Sequence, residues 1–170
     1  MNAPALPLLD WPQWEPTVRA NLCFIVQDGN VLLIRKKRGL GAGKINGPGG
    51  KLDPGESALQ SAVRETFEEL CITPTGIRQM GELFFEFRDG LRLHGAIFLG
   101  DGFTGTPTET AEAVPLWTPL HQIPFDEMWA DDRYWLPLLL RGEKFRGAFL
   151  FDGDRLLARR VERVPDETVF

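Results

Sequence analysis

Glu65, Glu68 and Glu69 stand at spacings that a helix gathers onto one side. Like charges at such spacings repel by roughly a few tenths of a kcal/mol per pair, so the trio calls for a positive partner. One partner is Arg64, which reaches Glu68 as an i to i+4 pair; the segment is then an ordinary solvated acidic face. The other is a hard divalent cation, because Mg²⁺ takes oxygen ligands and bridges carboxylates to substrate phosphates. The preceding stretch shifts the balance toward the cation. Gly47-Pro48-Gly49-Gly50-Lys51 and Asp53-Pro54-Gly55-Glu56 bring four glycines and two prolines just ahead of the acidic segment, where backbone N–H and C=O groups can approach a ligand closely. A P-loop is excluded: Gly41-Ala42-Gly43-Lys44 lacks the spacing, and Ile45 follows the lysine in place of Ser or Thr.

The acids need a helix to carry them. Ser57 to Leu70 opens with Ser57-x-x-Gln60, a capping-box pattern. At about 100° per residue, Leu59, Ala62, Val63, Thr66, Phe67 and Leu70 form the stripe expected to face the core, with the three glutamates on the other side. Asp131 to Arg141 predicts a second helix, interrupted or kinked at Pro137. Three hairpins are expected where Asp28-Gly29, Asp89-Gly90 and Asp152-Gly153 separate apolar runs. Strands on both sides of a helix, followed by more strands and a late helix, predict an α/β sandwich around a mixed or antiparallel sheet.

The 170 residues, 25% of them charged, predict a single domain over residues 19–170 behind an irregular leader over 1–18, which holds four of the 13 prolines and two of the five tryptophans. A net charge of −5 argues against polymeric DNA or RNA as partner and leaves a single nucleotide open. Cys23 and Cys71 have no CxxC spacing, so neither a zinc site nor a disulfide framework is indicated. With no targeting segment and no apolar run of membrane length, the expected location is the cytoplasm, with no membrane partner and a monomeric state.

Gly50, Glu56, Arg64-Glu65, Glu68-Glu69 and Ile72 together match the Nudix box: a glycine, five residues, a glutamate, seven residues, Arg-Glu and then the Glu-Glu pair. The chain thus resembles the Nudix hydrolases. Thr66 departs from the usual aliphatic residue, and Cys71 replaces the glycine that normally ends the helix. Lys36-Lys37-Arg38-Gly39, Asn46-Gly47, Phe85-Glu86-Phe87, Gly105-Thr106-Pro107 and Trp129-Ala130-Asp131-Asp132-Arg133-Tyr134-Trp135 are similar to the oxidised-purine nucleoside triphosphatases of animals within that family. The likeness runs over residues 20 to 152.

The resemblance implies an α/β/α Nudix sandwich and Mg²⁺-dependent hydrolysis of oxidised purine nucleoside triphosphates to the monophosphate and diphosphate, with Mn²⁺ as a possible substitute. It implies that Glu65, Glu68, Glu69, Glu112 and the Gly50 carbonyl bind metal, that Glu56 supports them, and that Arg64 orients the carboxylates. It places Lys36 toward the phosphates, has Phe85, Phe87 and Trp129 sandwich the purine, and has Asn46, Asp131 and Asp132 read the base edge. On pattern alone the two aspartates are also candidates for helix N-capping. Leu40, Ile45 and Ala113 replace larger residues, predicting a wider base pocket or one closed by the leader. His94 and His121 match no catalytic role. Two rival readings stand: a Nudix diphosphatase for other nucleoside triphosphates or nucleoside diphosphate derivatives, and a Nudix-fold nucleotide sensor without turnover.

Overall fold

The computed structural model describes residues 14–170; most of the leader lies outside them. β1 (Val18–Gln27) and β2 (Asn30–Lys36) form the first hairpin, and its turn puts Asp28 and Gly29 at φ of 50° and 75°. Positive φ at both central residues is what a two-residue turn needs to match strand twist. β6 (Arg78–Phe87) and β7 (Arg92–Gly100) pair antiparallel across Asp89-Gly90, and β10 (Phe145–Asp152) and β11 (Arg155–Arg163) across Gly153-Asp154. All three expected hairpins are present.

The short strands β3 (Ile45–Asn46) and β4 (Gly49–Lys51) precede the first helix, α1 (Ala58–Leu70). β5 (Ile72–Thr75) and β8 (Gly102–Gly105) form a separate ribbon, and β9 (Ala113–Pro119) pairs with β2. The main sheet runs β11-β10-β6-β7-β1-β2-β3 and is mixed: β1 with β7 and β6 with β10 are parallel, the rest antiparallel. On one side β1 pairs with β7 along its length; on the other it changes partner, from β4 at Ala20–Leu22 to β2 at Ile25–Gln27. The glycine-rich segment is thereby stitched to the middle of the sheet.

Successive residues of β1 show the layering. Cys23 packs with Ala62 of α1, while Phe24 meets the edge of Trp135 in the second helix, α2 (Asp132–Leu140). The helices cover opposite faces, as the α/β/α expectation required. The larger core, with Phe24, Leu33, Leu83, Trp135 and Phe149, lies under α2. Among the described residues no helix is long and apolar enough to cross a membrane.

Two helix expectations are corrected. α1 is rotated from the predicted stripe: Leu59 and Phe67 are 47% and 55% exposed, while Ser61, Ala62, Thr66, Glu69 and Leu70 are buried. The reason is polar. Asn21 Nδ2 donates to Ser61 Oγ at 2.7 Å and the Gly49 N–H donates to Glu69 at 2.7 Å, so α1 turns toward the glycine-rich segment, which a count of apolar residues does not register. α2 runs through Pro137 without the interruption that was one of the two expected outcomes. The carbonyl deprived of its donor there belongs to Arg133, an exposed residue, and not to the buried side of the helix.

The chain beyond the family likeness is ordered on the sheet. β11 forms the edge beside β10, after which Val164 N–H donates to Lys144 O at 2.9 Å and Lys144 Nζ to Thr168 O at 2.9 Å.

Candidate active site

The capping box forms as the sequence requires. Gln60 N–H donates to Ser57 Oγ at 3.1 Å, and Ser57 N–H donates to the Gln60 side chain at 2.9 Å. α1 ends at Cys71, in the left-handed region at φ 62°, its N–H bonded to Phe67 O at 2.8 Å. A cysteine thus takes the backbone conformation that glycine adopts most easily.

With its start fixed, α1 delivers Arg64 to the centre of the acidic group. Arg64 Nε and Nη2 donate to the two oxygens of Glu56 at 2.7 and 2.9 Å, a bidentate pair, and Nη1 donates to Glu65 at 2.9 Å and Glu68 at 3.1 Å. Arg64 therefore orients Glu56, Glu65 and Glu68 together, the positioning role expected of it. The Arg64 bond and the Asp53 N–H hold the Glu56 carboxyl down at about 2. Because Glu56 titrates lower in the folded chain than in the unfolded one, its contribution to stability is present above pH 4.5 and lost as the pH falls toward 2. Glu56→Gln is accordingly expected to melt below the wild type at neutral pH and to converge on it over that interval. A melting-temperature gap that stays constant down to pH 2 would show that Glu56 does not act through its charge.

Glu69 is set apart from its neighbours. It is only 2% exposed, one oxygen accepts the Gly49 N–H at 2.7 Å, and its backbone carbonyl accepts from Thr110 Oγ1 at 2.8 Å. Burial, reinforced by the negative charges of Glu65 and Glu112, pushes its carboxyl up to about 8 against the pull of the Gly49 N–H and Lys36. Glu65 is also raised, first by burial, with Glu68 and Glu112 adding repulsion. The four glutamates thus share one field, although Glu112 lies well downstream and is held by Arg38 at 2.8 Å. The Glu65 carboxylate lies so close to the Gly50 backbone that a Cβ at position 50 would collide with it. Among the described residues no three His, Cys, Asp or Glu side chains converge as a finished ion cage. What they supply is a set of hard oxygen donors under mutual repulsion, which suits a divalent cation of the magnesium type.

A cavity adjoins this group. Glu69, Gly49, Gly50 and Lys36 line it together with Asn46, Phe85, Phe87, Trp129, Asp131 and Asp132. The structure therefore brings the predicted base-reading residues into one space with the acidic helix. Of the expected sandwich of Phe85 and Phe87 with Trp129, the Phe87 side is excluded. Phe87 and Trp129 meet edge to face at 6.2 Å, too close for a ring between them, and are parts of one wall. Phe85 stacks on Phe149 at 5.5 Å and Phe87 on Phe151 at 5.4 Å. Phe151 also lines the cavity; sequence reasoning passed over it, although Phe149 and Phe151 alternate in a strand just as Phe85 and Phe87 do.

Asp131 and Asp132 are almost fully buried, and burial raises both carboxyls, Asp132 further because of its neighbour's charge. Asp131 occupies the N-cap position of α2 without making a capping bond, so capping does not account for it. Of the three replaced positions, only Leu40 lines the cavity; Ile45 belongs to the core under α2 and Ala113 to a cluster with Ile25 and Leu70. Their smaller size does not widen the pocket. Nor does the described part of the leader close it: Trp14 packs edge-on against Phe84 at 5.4 Å, on the opposite sheet face from Phe85. Trp11 lies outside the described residues. His94 pairs with Glu82 at 2.9 Å and His121 lies in a turn, both away from the cavity lining.

The family model for the NUDIX domain matches residues 16–139. An oxidized purine nucleoside triphosphate hydrolase of Danio rerio is 43% identical over 147 residues, covering 85% of this chain and 94% of that protein. The protein of the same name from Mus musculus is 43% identical over 145 residues, 84% and 93% of the two chains. Among solved structures, a MutT mutator protein from Bacillus halodurans superposes with a TM-score of 0.77 at 26% identity, covering 85% of this chain and 97% of that one.

Proposed function

The chain belongs to the Nudix hydrolases, and on that premise we propose that it hydrolyses oxidised purine nucleoside triphosphates to the monophosphate and diphosphate, clearing damaged nucleotides from the pool. The observation that carries this reading is the single cavity in which the glycine-rich segment and buried Glu69 adjoin Asn46, Asp131, Asp132 and an aromatic wall. Phosphate chemistry and base recognition then share one small-molecule site.

Nudix hydrolases generally use a divalent metal; here we assign Mg²⁺, held by Glu65, Glu68, Glu69, Glu112 and the Gly50 carbonyl. A bound cation of this kind neutralises phosphate charge and acidifies a water molecule. The chain's own residues do the rest. Arg64 fixes the directions of Glu56, Glu65 and Glu68, the Gly49 N–H fixes Glu69, and Lys36 brings positive charge to the phosphate end. Phe85, Phe87 and Trp129 offer the base an apolar wall, while Asn46 and the aspartates supply donors and acceptors at its edge.

A panel of triphosphates with diphosphate detection tests the proposal. 8-oxo-dGTP is expected to exceed dGTP in kcat/KM by about tenfold or more, because a site of buried polar groups rejects a base that leaves them unpaired. Equal or inverted constants would transfer the assignment to other nucleoside triphosphates or nucleoside diphosphate derivatives, and absence of Mg²⁺-dependent turnover on the whole panel would leave a nucleotide sensor.

A further inference from the structure

The sequence pattern treats Asp131 and Asp132 as a pair, but the structure gives them different surroundings. Asp131 Oδ2 accepts a hydrogen bond from the Nε1–H of Trp135, one turn along α2, at 2.8 Å. Trp135 is completely buried, stacked on Phe145 at 5.5 Å and edge-on to Phe24 at 5.8 Å, so the direction of its N–H is fixed. Asp132, by contrast, has a buried Oδ2 with no hydrogen-bond partner among the described residues. Both side chains line the cavity.

An indole N–H donates and never accepts. Its bond to a carboxylate is stronger than its bond to a neutral carboxyl, so it favours charge on the aspartate it touches. Two adjacent buried carboxylates do not both carry charge readily, and whatever favours charge on Asp131 leaves the proton to Asp132. We propose that Trp135 is a positioning residue that sets the specificity of the site: it keeps Asp131 the ionised acceptor and leaves Asp132 the carboxyl that presents a proton to the purine edge. Burial raises both carboxyls, and the Trp135 bond is the largest of the influences that pull Asp131 back down, ahead of a backbone N–H and the Asp132 side chain.

The inference rests on the reading of the cavity as a purine site. It predicts a dependence on the exocyclic group at purine position 6, which accepts in an oxidised guanine and donates in an oxidised adenine. One proton placement suits the first and the opposite placement the second.

Trp135→Phe keeps an aromatic ring in the core and removes the N–H. The probes are 8-oxo-dGTP and 8-oxo-dATP, which carry the same triphosphate and the same oxidised carbon. The ratio of their kcat/KM values is expected to shift by about tenfold, the scale of one hydrogen bond to a charged group. In an Asp131→Asn background, where no carboxyl remains for Trp135 to bias, the same substitution is expected to leave the ratio unchanged. Should Trp135→Phe fail to fold, benzothienylalanine at position 135 keeps the indole shape with sulfur in place of N–H. Equal loss on both substrates would reduce Trp135 to a packing residue and overturn the inference. A ratio shift undiminished in the Asp131→Asn background would overturn it too. If the wild type hydrolyses neither probe, the purine reading fails and this inference with it; hydrolysis of both with an unmoved ratio refutes the Trp135 role alone.

Discussion

Glu69→Gln is expected to lower Mg²⁺-dependent turnover by about two orders of magnitude or more and, in protein stripped of metal with a chelator, to raise the melting temperature. The two effects have one cause. Glu69 is a buried carboxylate whose neighbours Glu65 and Glu112 are negative, and its carboxyl is pushed up to about 8. Below about pH 4.5 it is protonated in folded and unfolded chains alike and contributes no difference. As the pH rises from there to about 8, the unfolded chain releases the proton more readily than the folded one, so the fold loses stability. Glutamine does not titrate, and its advantage should appear over that interval and stop growing above it. Thermal melts between pH 4 and 9 beside a diphosphate-release assay measure both. Near wild-type turnover would remove Glu69 from the metal site, and a melting-temperature difference independent of pH would remove the electrostatic strain.

The second large effect is expected from Gly49→Ala. A Cβ at this position would run into the backbone oxygen of Asn21 and come within 2.9 Å of the Leu22 Cα. Neither is the flexible end of a side chain, so β4 has to leave β1. Its departure takes the Gly49 N–H from Glu69, and activity should fall along with stability. A loss of about 3 kcal/mol or more is the scale for backbone displaced inside a sheet. Gly55→Ala is the contrasting case: its φ is +79° but a Cβ there meets nothing within 4 Å, so it incurs only the left-handed backbone cost of about 1–2 kcal/mol. Urea unfolding of the two variants measures the difference. If Gly49→Ala were no more destabilising than Gly55→Ala, the close approach of β4 to β1 would be wrong.

Gly49 and Gly55 sit in the same glycine-rich stretch and look alike in sequence, and their different roles illustrate a wider division. The amino-acid sequence by itself determined what depends on residues a few positions apart. Asp28-Gly29 makes its turn because both positions accept positive φ, Ser57 and Gln60 cap α1 because their side chains reach each other's backbone, and the spacing of Glu56, Arg64, Glu65 and Glu68 suffices to bring three carboxylates to one guanidinium. The family follows from that same local pattern.

Only the tertiary structure decided which side of α1 is buried, because the answer depends on what docks there. Hydrogen bonds from Asn21 and Gly49 draw Ser61 and Glu69 inward and leave Leu59 and Phe67 in solvent. It also decided that Phe151 backs Phe87 through the parallel pairing of β10 with β6, and that Asp131 and Asp132 are buried beside the glycine-rich segment in one cavity. A carboxylate's charge is evident from its residue type, but its cost is set by burial and by the charges around it, and those surroundings are brought together from distant parts of the chain only when it folds.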